Sequence, residues 1–133
     1  MLLHYLAPLA EATGSRSVLQ DADHLLSGIT APVGSAWLLG ADCYLAVARA
    51  WLGADEPARA RDVLRPLMSA AERLSWVPAL AGGSLVDGRA AAARGDHTAG
   101  RILISRAVTL ATRHHMPIVE RDALAHLAAL PED

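Results

Sequence analysis

Apolar positions recur at three- and four-residue spacings along this chain, and glycine and proline interrupt them at intervals suited to helical hairpins. The pattern predicts a first helix over about residues 2–13, stopped by Gly14, and a second over about 18–27, capped by Ser15 or Ser17 and ended by Gly28 and Pro32. A longer helix follows over about 35–52, with Leu38, Cys43, Tyr44, Val47, Ala48 and Trp51 on one apolar stripe. Gly53-Ala54-Asp55 reads as a C-cap followed by an N-cap, and Glu56 and Pro57 suit the first turn of a helix reaching Leu74. Pro66 falls inside that helix and is expected to kink or split it, because its ring removes a donor and crowds the preceding turn. After the corner Trp76-Val77-Pro78 comes a fifth helix over about 78–94, weakened at Gly82-Gly83. Gly95-Asp96 repeats the cap-to-cap turn, one or two residues out of register with a forty-residue shift. A sixth helix over about 97–115 and a seventh over about 118–130, opened by Pro117, complete the set. Seven helices joined by short turns predict antiparallel neighbours.

A shift of forty residues lays the chain over itself. Arg49-Ala50 falls on Arg89-Ala90, Arg61 on Arg101, Ala71 on Ala111 and Arg73 on Arg113. A fixed period in this range signals stacked supersecondary units, whose shared surface more often receives a partner than performs catalysis.

Composition agrees with an all-α chain. Of 133 residues 53% are hydrophobic, but Ala and Leu dominate, aromatics are only 4% and Phe is absent. Strong helix formers are therefore abundant and strand formers scarce. The length fits one domain over residues 1–133, with helical hairpins at about 2–29, 35–76 and 78–115 and a capping helix at 118–130. A net charge of −2 argues against direct nucleic-acid binding, and the all-arginine set of twelve basic residues reads as compositional bias. The one cysteine, Cys43, excludes an internal disulfide, fits a reducing cytoplasm and reads as a buried helix residue. No apolar run is long enough to span a bilayer, and Met1-Leu2-Leu3-His4-Tyr5-Leu6 lacks the positive start of a signal peptide.

Tyr44, Val47, Ala48 and Trp51, followed by Ala60, Leu64 and Leu67, resemble a tetratricopeptide repeat. A degenerate copy reads Ser84, Asp87, Gly88 and Ala91, then Gly100, Ile104 and Ala107. A weaker one reads Leu6, Leu9, Ala10 and Thr13, then Ala22, Leu26 and Ile29, while Leu124, Leu127 and Ala128 suit a lone cap. The spacing exceeds the family's usual 34 residues and approaches the HEAT and armadillo range; a plain helical bundle is the further alternative. The resemblance implies a right-handed superhelix, a TPR-like α-solenoid, with a concave groove that takes a protein or peptide. In that register the groove positions are Asp42, Leu45, Arg49 and Leu52, then Gly82, Leu85, Arg89 and Ala92, then Asp122 and His126. Arg49 and Arg89 stack one repeat apart, a pairing suited to a carboxylate or phosphate unless each is neutralised by a neighbouring acid. The style of repeat is also similar to the C-terminal regions of large LuxR-type ATP-binding transcriptional regulators, which implies an effector-sensing role. Neither a P-loop nor a helix-turn-helix with a basic recognition helix is present in this sequence.

No other chemistry stands out. His114 and His115 are adjacent and point about 100° apart on a helix, and no His-x3-His or Glu-x-x-His pair falls on one helix face. Trp51 reads as core, and Trp37 and Trp76, near helix ends, as corner plugs or, alternatively, exposed binding anchors. No catalytic constellation or cofactor motif emerges. The expectation is a non-enzymatic binding or sensing module in the cytoplasm, without cofactor, metal or membrane contact. Self-association into a homodimer is the alternative, and a small-ligand-binding or enzymatic helical domain a third.

Overall fold

The computed structural model describes Leu9, Glu11, residues 16–27 and residues 35–131. These residues form six α-helices and no strand. They are α1 (Arg16–Ser27), α2 (Ser35–Gly53), α3 (Pro57–Leu74), α4 (Val77–Ala93), α5 (His97–Arg113) and α6 (Pro117–Ala129). Leu9 and Glu11 are helical, and the rest of the first expected helix lies outside the described residues. Ser17 sits within α1 instead of capping it.

The helices are spaced by one turn used four times. Asp55, Ser75, Gly95 and His115 all take left-handed backbone (φ 62°, 52°, 90° and 57°), each twenty residues after the one before. In every case the next residue's N–H reaches back to close the turn: Glu56 to Trp51, Trp76 to Ala71, Asp96 to Ala91 and Met116 to Ala111, at 2.8–3.0 Å. This is the Schellman closure, which satisfies carbonyls that the ending helix leaves open. The carbonyls of Glu56, Trp76, Asp96 and Met116 then accept the first bonds of the helices that follow. The apparent slip between Gly53 and Gly95 thus disappears. Gly53 is still helical, and Asp55 is the residue that matches Gly95.

Each helix packs on its successor, and α2 also packs on α4, and α4 on α6. Helices α2, α4 and α6 therefore form one layer, with α3 and α5 in a second. The residues that suggested the repeat are interior: Tyr44, Val47, Ala48 and Trp51 on α2, and Ala60, Leu64 and Leu67 on α3. Trp51 is fully buried, its Nε1–H donating to Asp23 at 3.0 Å, with the Arg59 guanidinium 4.8 Å above its ring. Glu56 in turn pairs with both Arg16 and Arg59, at 3.1 Å each. Trp76 packs partly buried against the same core, whereas the side chain of Trp37 lies outside the described residues.

Two expected helix weaknesses do not break their helices. Pro66 sits on the exposed face of an unsplit α3, where its ring meets no packed neighbour and the lost backbone bond leaves the helix continuous. Helix α4 runs unbroken through Gly82-Gly83 because its surroundings select small residues. It touches α2, α3, α5 and α6, and is buried almost all round. The closest approach is between α4 and α5. A Cβ on Gly88 would lie 3.0 Å from the Gly100 carbonyl oxygen, and one on Gly100 would lie 3.0 Å from the Gly88 oxygen.

Candidate functional site

The layer of α2, α4 and α6 encloses a cleft of about 560 Å³. Seven of the ten groove positions bring side chains to it: Asp42, Leu45 and Arg49 from α2, Leu85 and Arg89 from α4, Asp122 and His126 from α6. They converge because alternate helices of an antiparallel chain run parallel. A forty-residue shift then carries a residue to the same level of the same layer. Gly82 also lines the cleft, as the register expects, but Leu52 and Ala92 do not. Leu52 packs on the main core, and Ala92 faces Gly100 of α5, its Cβ 3.0 Å from where a Cβ on Gly100 would be.

The sequence pattern misses several lining residues. Val86 is adjacent to Leu85 and turns partly into the cleft, while Pro78, Met116, Ile118 and Val119 come from helix starts. Their proximity to a turn was visible in sequence; the direction in which the turn aims them was not. Glu11 reaches the cleft from 38 residues upstream of Arg49, and no local spacing announces that contact.

The two cleft arginines differ in their surroundings. Arg49 is gripped by Glu11, with Nε and Nη2 each donating to one carboxylate oxygen, the second bond at 3.2 Å. This two-pronged pair neutralises Arg49 within the chain. Arg89 is half-buried and makes no ion pair or side-chain hydrogen bond among the described residues. Burial, and then the neighbouring Arg49 charge, hold its guanidinium below the ordinary arginine value, while Asp122 and Glu11 act the other way. Neither acid is close enough to Arg89 to pair with it. On α6, the Nδ1 of His126 lies 2.8 Å from the Asp122 carbonyl oxygen, and Arg121 approaches the Asp122 carboxylate only to 3.9 Å.

Elsewhere the charged groups are mostly matched. A cavity of about 510 Å³ has Leu64 and Met68 in its lining, but its Arg61 pairs with Asp87 at 2.7 Å and its Arg65 with Asp62 at 3.0 Å. A third, of about 360 Å³, holds Asp23 and Arg59, both already engaged with Trp51. Cys43 is buried, and burial together with the Asp42 charge pushes its thiol pKa up, away from nucleophilic use. Among the described residues no group of three His, Cys, Asp or Glu is placed to hold a metal ion. His114 and His115 sit at the end of α5, His115 supplying the left-handed turn residue. No helix among the described residues is long and apolar enough to cross a membrane.

Comparison of the chain with protein-family models, with curated proteins and with solved structures finds no match. The arrangement itself offers a partly apolar cleft with a few convergent charges, the usual make-up of a binding site.

Proposed function

We propose that this chain is a non-enzymatic, tetratricopeptide-like binding or sensing module of the cytoplasm. In this reading its hairpins continue as a right-handed superhelix and a protein, peptide or effector occupies the cleft between α2, α4 and α6. The observation that carries the reading is Arg89, a half-buried guanidinium in a cleft, left without a partner by every described side chain. A charge so placed loses hydration without compensation until something binds it. The twenty-residue recurrence of the helix-ending turn supports the repeat architecture. A place in a larger LuxR-type regulator belongs to the same proposal; an ATPase or helix-turn-helix segment flanking it in the source gene is the expected outcome.

The test is a titration of the isotopically labelled chain with a library of short peptides, followed by amide chemical shifts. Shifts should concentrate at Leu45, Leu85, Arg89 and Asp122. A library that moves only amides outside the cleft, or none, refutes the reading.

One observation favours self-association as a second reading. Leu124 is 47% exposed, although Tyr44 and Ser84, eighty and forty residues earlier in the same register, are 4% and 0% exposed. The face of α6 that corresponds to the one α2 and α4 bury is thus open at Leu124. If a second copy covers it, light scattering gives twice the chain mass and Leu124→Arg returns it to the monomer.

A further inference from the structure

The charges of the cleft are sorted along its length. Asp42, on α2, and Asp122, on α6, occupy the same level of the forty-residue register, with Gly82 between them on α4. Arg49 and Arg89 occupy a second level, seven residues further along their parallel helices, or about 10 Å. Between the two levels lie Leu45, Leu85 and Val86. The absence of a side chain on Gly82 lets Leu45 lie across α4, its Cδ1 3.1 Å from where a Cβ would be. The cleft therefore has an acidic end, an apolar middle and a basic end.

This order selects against ligands of one sign. A simple anion that reaches Arg89 still shares the cleft with three carboxylates, Glu11, Asp42 and Asp122. A simple cation drawn to Asp42 and Asp122 shares the cleft with the Arg89 guanidinium, which no described side chain neutralises. Only a molecule charged at both ends leaves neither level uncompensated, and an apolar centre suits the leucines between them. Glu11 already saturates Arg49, so the open seat for a carboxylate is Arg89, whose planar fork can donate two parallel hydrogen bonds. Helical side chains lean toward the N-terminal end of their helix, which brings the Arg89 head toward the acidic level and shortens the span. Extended peptide advances about 3.3–3.6 Å per residue, so two or three residues bridge the gap.

We infer that the cleft takes a short linear zwitterion with an apolar middle, the chemistry of a free-ended di- or tripeptide. Its carboxylate sits on Arg89 and its ammonium between Asp42 and Asp122. The inference rests on the cleft being the binding site and adds which chemistry fills it.

The experiment is isothermal titration of the full chain at low salt with Ala-Leu-Ala in four forms: free, N-acetylated, C-amidated and blocked at both ends. The free peptide should bind best, and each single block should weaken it about tenfold or more, as loss of a charge-assisted contact does. Arg89→Gln should remove the penalty for amidation while leaving that for acetylation, and Asp42→Asn with Asp122→Asn should do the reverse. Arg89→Lys keeps the charge and serves if the glutamine variant fails to fold; it should retain part of the amidation penalty. Equal binding of all four forms overturns the zwitterion class while leaving the cleft as a binding site. Absence of binding by every form also overturns it, and the amide-shift experiment then decides separately whether the cleft binds anything.

Discussion

Replacing Gly88 with alanine sets two known quantities against each other. Alanine is the better helix former, and in a helix interior the exchange is worth about 0.8–1.0 kcal/mol of propensity. Against this, the new Cβ would lie 2.7 Å from the Ile104 Cγ1 and 3.0 Å from both the Gly100 oxygen and the Leu103 Cβ. Ile104 is itself buried and the Gly100 oxygen is backbone, so neither can move aside without separating α4 from α5. Overpacking of this kind costs about 1–3 kcal/mol, toward the upper end where backbone is involved. The net expectation is a loss of about 1–2 kcal/mol. Gly53→Ala is the matched control, since its Cβ would meet nothing within 4 Å and only the propensity change remains. Near the helix end that gain is about 0.5 kcal/mol. Urea unfolding followed by circular dichroism reads both as midpoint shifts at constant slope. Opposite shifts are expected. A Gly88→Ala variant as stable as Gly53→Ala would show that α4 and α5 do not meet at the distance described, and the reasoning would fail.

Asp23→Ala should cost about 1–3 kcal/mol in the same urea assay, because it strands the buried Trp51 indole N–H; Asp23→Asn, which keeps an acceptor, should cost less. Ser84 is fully buried and its hydroxyl has no hydrogen-bond partner, so Ser84→Ala should raise stability by about 1 kcal/mol. Arg106 holds the Glu72 carboxyl below its ordinary value of 4.5 through a hydrogen bond, opposed by slight burial and aided by its charge. A carboxylate with a depressed folded pKa stabilises above its unfolded pKa and loses that contribution as pH falls through the folded value. The stability difference between the wild type and Glu72→Gln should therefore be constant near neutrality and shrink below about pH 4.5; being an exposed pair, it should stay small throughout. A difference that grows on acidification contradicts the assigned pairing.

How far the sequence reveals the molecule depends on which physical term fixes each feature. The cleft residues were readable because a forty-residue period plus a helical register determines both the layer and the face of a side chain. Burial of Tyr44, Trp51 and Leu64 followed from the same rule. The twenty-residue recurrence of the turns was hidden, because Asp55, Ser75, Gly95 and His115 share a conformation but no chemistry. Glycine and aspartate advertise left-handed backbone, whereas serine and histidine adopt it here through the Schellman closure around them. The grip of Glu11 on Arg49 was equally hidden. It joins segments 38 residues apart, and many acids could have served.

Helix α4 explains why the hidden part matters most at Arg89. Its seventeen residues contain only two charges, Asp87 and Arg89, because four neighbouring helices leave it almost no open side. Asp87 faces α3, where Arg61 matches it at 2.7 Å. Arg89 has only the cleft to enter, where Glu11 is already spent on Arg49 and Asp122 stands beyond pairing distance. Within such a helix an apolar residue at position 89 would cost less desolvation than an unmatched guanidinium. The chain thus carries, on the middle helix of the α2, α4 and α6 layer, a destabilising charge that nothing in the described structure compensates. Arg89→Leu should accordingly raise the urea midpoint while abolishing recognition of the ligand's carboxylate end. A variant that loses both stability and binding would instead mark Arg89 as part of the scaffold.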